Sequence, residues 1–167
     1  MWGEPCVVVL DVGARVLRAG VCGEAAPRVV VDAARAASEL VGRPLDALWE
    51  LDMMHAADAA HADARRIELV RILARLLRTV WQTHILVDPA HTRVLCAHSP
   101  LLIGAVQDAL CHVLLHHVGA AAVSFVDAPA LALVAAGRAT GLVVDIGHLE
   151  TCVLPIYAGR PIRRALR

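Results

Sequence analysis

A chain of 167 residues is long enough to bury one substantial core, and its 58% hydrophobic content comes largely from Ala and Val. A formal charge of zero, with all sixteen basic residues Arg, excludes the electrostatic footprint of a nucleic-acid or acidic-membrane binder. No uninterrupted apolar run reaches the roughly 18 residues of a membrane helix, and Glu4 and Pro5 stand where a secretory leader needs a basic start and an apolar core.

Residues 7–10 form an apolar run with the character of a buried strand, Asp11-Val12-Gly13 makes a turn, and residues 16–21 return. Residues 28–31 add a third strand to this meander, whereas residues 33–49 fit neither periodicity. Residues 52–62 are a polar, alanine-rich approach to a helix over 64–82, where Ile67, Val70, Leu73, Leu77, Val80 and Trp81 recur at helical spacing. Arg66, Arg71, Arg75 and Arg78 lie between them, on the solvated side. Residues 92–97 predict the next strand. Ser99-Pro100 then places a cap and a proline at the start of a helix over 101–117, with Val106, Leu110, Val113 and Leu114 on one stripe. Residues 123–126 read as a strand, and Asp127-Ala128-Pro129 caps a short helix that Gly137 ends. Residues 142–144 are a short buried strand ending at Asp145, Ile146-Gly147 turns, and residues 151–156 return, with Pro155 late enough for an edge or a strand end.

The five cysteines have no CxxC spacing and four sit in apolar runs, which reads as buried reduced thiols of a cytosolic protein. The nine histidines show no paired ligand spacing, so no metal site is expected.

Two hairpins, each an apolar run followed by Asp-X-Gly, present a carboxylate and backbone N–H groups at their tips. Together they resemble the two phosphate loops of the superfamily of actin, sugar kinases and heat-shock ATPases. LDVGARVLRAGVCGEAAPRVVV is similar to the first hairpin of actin and GRATGLVVDIGHLETCVLPIYAG to its second. The resemblance implies an α/β fold, the ribonuclease-H-like half of an actin with a mixed five-stranded sheet and helices and the second half absent. It makes residues 1–167 one domain in which the inserted small subdomain, about residues 33–60, is strongly reduced.

The resemblance also names a site. Asp11 and Asp145 match the tip carboxylates, Gly13 and Gly147 the tip glycines, and Arg18 the phosphate-binding lysine of actins. These five are the remnant of a phosphate cradle. An ATPase of this type needs tip hydroxyls, a second carboxylate and a water-orienting glutamine acting together. Here Ala14, Ile146, His148 and Ala128 stand at those positions. The expectation is a chain without catalytic residues or a firmly bound cofactor, with ATP held at millimolar affinity or weaker, about −4 kcal/mol. The resemblance then implies a structural subunit in the cytoplasm and cytoskeleton. Its partners would be an actin-like filament and the other subunits of dynactin, at whose pointed end it would support dynein-driven transport and nuclear positioning; neither nucleic acid nor membrane is expected as a partner. The alternatives are a subunit of a nuclear chromatin-remodelling complex and a small ATPase or phosphotransferase of the same superfamily.

Overall fold

The computed structural model describes residues 6–49 and 59–167, so residues 1–5 and most of the alanine-rich approach at 52–62 lie outside the described part. Strands β1 (Cys6–Val12), β2 (Val16–Val21) and β3 (Val29–Asp32) form the expected antiparallel meander, with Asp11 opposite Arg18. The stretch without clear periodicity opens with a helix, α1 (Ala33–Val41). Asp32 caps it by accepting the Arg35 N–H at 3.0 Å, and Gly42, at φ 71°, closes it with its N–H on the Ser38 carbonyl. Alanine lets this helix lie close: Ala33, Ala34 and Ala37 are buried as it packs on the meander and on the next helix.

That helix, α2 (Ala59–Val80), runs on through a π turn (Trp81–Ile85). Leu69, Ile72, Leu73, Leu76, Leu77, Val80 and Trp81 are buried, and the four arginines of the predicted solvated side are exposed. Ile67 departs from its reading as a core residue. It is 62% exposed, whereas Leu69, two residues on, is 3% exposed.

Strand β4 (Thr92–His98) pairs in parallel with β1, and β5 (Ala122–Asp127) in parallel with β4. The crossover between β4 and β5 is α3 (Gly104–His112), extended by a π segment (Val113–Val118) that Gly119 closes at φ 89°. Parallel strands need such a crossover, and the buried stripe of Val106, Leu110, Val113 and Leu114 shows why this one is a helix. Its start corrects the sequence reading. Ser99 accepts the Leu101 N–H at 3.2 Å and its carbonyl accepts the Leu102 N–H, so Ser99-Pro100 makes a turn, and the helix begins three residues beyond Leu101.

The sheet order is β3-β2-β1-β4-β5, the mixed five-stranded sheet expected. Its main core, against α2 and α3, holds Val8, Leu10, Leu17, Leu73, Leu77, Val94, Val106 and Leu114, all at most 1% exposed. After α4 (Ala128–Ala135), strands β6 (Gly141–Ile146), β7 (Thr151–Tyr157) and β8 (Arg160–Pro161) build a separate three-stranded sheet. Leu133 of α4 packs there with Cys152, Leu154 and Ile156 in a second small cluster. Pro155 is therefore in the middle strand and not at an edge. It is tolerated because β8 is only two residues long, and the Pro155 carbonyl is met by the Ile162 N–H at 2.9 Å.

Candidate functional site: a cleft between two hairpin tips

The tips of the β1–β2 and β6–β7 hairpins face one another across a cleft of about 550 Å3. Asp11, Gly13, Arg18, Asp145 and Gly147 all line it, so the structure brings together the five residues singled out in the sequence. Trp49, Ser99, Ala128, His148 and Glu150 are among the other residues of its walls.

The two hairpins are one structure repeated. In each, the tip glycine donates its N–H to the carbonyl three residues on, Gly13 to Val16 at 3.0 Å and Gly147 to Glu150 at 2.9 Å. Cross-strand pairs coincide as well, Asp11 with Arg18 and Asp145 with Cys152. Close approach demands the glycines. A Cβ on Gly13 would lie 2.9 Å from the Val16 carbonyl oxygen, and one on Gly147 would lie 3.1 Å from that of Glu150. Their N–H groups thus close the turns and are not available to a ligand.

The charges are also engaged. Arg18 Nη1 lies 3.0 Å from Asp11 Oδ2, so the cation expected to neutralise a phosphate neutralises the first tip carboxylate instead. At the matching place in the second hairpin stands Cys152, which brings no cation. Glu150 accepts a hydrogen bond from the Ser99 hydroxyl at 2.5 Å, tying the second tip to the end of β4. Arg15 lies 3.6 Å from Asp32 and 3.8 Å from Asp46, and His148 Nε2 lies 3.4 Å from Asp46 Oδ2. Among the described residues no group of three His, Cys, Asp or Glu side chains is arranged to hold a metal ion. The glycine amides are closed into turns, the cation is paired, and Ala14, Ala128 and Ile146 offer the cleft no hydroxyl or amide side chain.

Asp127 corrects another expectation. Its carboxylate makes no side-chain cap to α4. It is 8% exposed, and Arg163 holds it with contacts of 2.8 and 3.1 Å, while His98 Nε2 lies 3.8 Å away. Arg163 carried no sequence signal for this pairing, which long-range packing alone creates.

Burial pushes the Cys96 thiol up to about 12, with neighbouring Cys111 adding to it. Burial also raises the Cys152 thiol, reinforced by Asp145, Glu150 and Asp127. Because the thiolate is the reactive form, a thiol-disulfide titration of the native chain at pH 8 should modify exposed Cys22 and leave Cys96 and Cys152 untouched until denaturant is added. Rapid native labelling of Cys96 would show that the main sheet opens.

No described helix is long and apolar enough to cross a membrane. The paired Asp-X-Gly tips, the meander extended by parallel strands and the cleft between them agree with the family model described as Actin, which matches residues 3–167: the chain belongs to the actin family.

Proposed function

We propose that this chain is a non-catalytic, structural member of the actin family that acts through protein contacts. The observation that carries the reading is the state of the cleft: Arg18 is paired with Asp11 at 3.0 Å, and Ala14, Ile146 and Ala128 stand where hydrolysis needs polar groups. Phosphoryl transfer depends on positioning and charge stabilisation by groups acting as a unit, so the loss of even one of them removes much of the rate. In a single-turnover assay with Mg-ATP, phosphate release should equal background. Release above background that Asp145→Ala abolishes would overturn the reading.

The assembly that best suits such a subunit is the pointed end of dynactin, in the cytoplasm. Support comes from the altered tips together with the short span of chain between β3 and α2, where actins insert a small subdomain. A pull-down with the tagged chain should recover the actin-like filament and other dynactin subunits. Recovery of nucleosome remodellers in their place would move the protein to the chromatin-remodelling class.

A further inference from the structure

The connector between α1 and Trp49 does something the hairpins alone do not. It leaves α1 at Gly42, and Ser38 fixes its course: the Ser38 hydroxyl accepts the Leu45 N–H at 2.8 Å and lies 2.8 Å from the Ala34 carbonyl. Three residues on, the Leu48 N–H donates to the Ala14 carbonyl at 2.6 Å, pinning the connector to the first hairpin tip. Ala47, Leu48 and Trp49 are buried, and Trp49 forms part of the cleft wall. Between the anchors at Leu45 and Leu48 the chain presents Asp46. One carboxylate oxygen lies 3.8 Å from Arg15 on the first tip, and the other lies 3.4 Å from His148 on the second.

We propose that residues 42–49 are a strap that draws the two tips together from within, with the Asp46 carboxylate meeting Arg15 and the His148 ring, the groups that an anionic ligand would otherwise meet. Arg15 follows Ala14 on the first tip and His148 follows Gly147 on the second, and the strap gives them a common partner. Asp32 shares Arg15 with Asp46, so the first tip is held by two carboxylates and the second by one. The Asp46 side chain is 87% exposed. Its contacts are consequently screened by water and salt, and the strap is a latch that can be displaced, not a permanent bridge. This goes beyond the proposed structural role, because it concerns access to the cleft and not what happens there.

The test is calorimetric titration of the full chain with inorganic pyrophosphate, which carries no nucleoside and needs no turnover. Asp46→Asn removes the competing charge from an exposed position, so the fold should survive, as a thermal melt will check. The variant should bind pyrophosphate about three- to tenfold more tightly than the parent, and adding Arg15→Gln to it should cancel the gain. Equal affinity of the parent and Asp46→Asn, undetectable binding by both included, would overturn the strap. So would a gain that persists without Arg15.

Discussion

Leu77→Ala should lower the stability of this domain by about 3 kcal/mol, whereas Ile67→Ala on the same helix should change it by less than about 0.5 kcal/mol. Leu77 is 1% exposed in the core between α2 and the five-stranded sheet. Deleting three of its carbons forfeits both the transfer free energy and the contacts around the void, because close-packed neighbours relax only in part. Ile67, at 62% exposure, has little of either to lose. In a domain of this size the difference corresponds to roughly 10 °C in melting temperature for Leu77 and almost none for Ile67. Thermal melts followed by circular dichroism decide the matter. Equal effects at the two positions would mean that the first turns of α2 pack as tightly as its middle.

The same pair of residues shows what hydrophobic periodicity can and cannot give. It located α2 and its buried stripe, because any helix with apolar residues at these intervals has a face that must be covered. It could not say where along the helix the cover begins, because that depends on what the rest of the fold packs against it: Ile67 is 62% exposed and Leu69 3%. Ser99 failed in a similar way. Its preference for helix starts is real, but it also closes turns, and in the fold its hydroxyl reaches Glu150, fifty-one residues away. Asp11, Gly13, Asp145 and Gly147 were legible because a tight turn next to a strand leaves a local signature in Asp-X-Gly, whereas Arg18 was named by the resemblance alone. Asp46, Trp49 and Arg163 had none. Each acquires its place through a contact between segments far apart in the chain, and the Arg15–Asp46–His148 arrangement exists only once both hairpins and the connector are assembled.

Replacing Leu142, Val144 and Ile146 together by Thr should abolish self-association of the isolated chain while leaving its melting temperature almost unchanged. The repeat of the two hairpins supplies the reason. Aligned on their tips, Asp11 with Asp145 and Gly13 with Gly147, the hairpins place Val8, Leu10 and Val12 at the positions of Leu142, Val144 and Ile146. The first three are 0%, 1% and 5% exposed beneath α2 and α3, but the second three are 64%, 54% and 80% exposed. They alternate along one face of β6, an edge strand of its sheet, so an apolar stripe lies beside unpaired backbone N–H and C=O groups. Fully burying such a side chain is worth about 1.5–3 kcal/mol. With more than half of each still in water, an association that covers the stripe gains about 3 kcal/mol, more than a hundredfold in its equilibrium constant. Threonine has the β-branched shape that suits a strand and removes most of that gain. Sedimentation velocity should show the parent as a mixture that shifts to larger species with concentration, and the triple variant as a single monomer at every concentration. A parent that stays monomeric throughout, or a variant that associates as strongly as the parent, would show that the β6 face does not govern the association state of the chain.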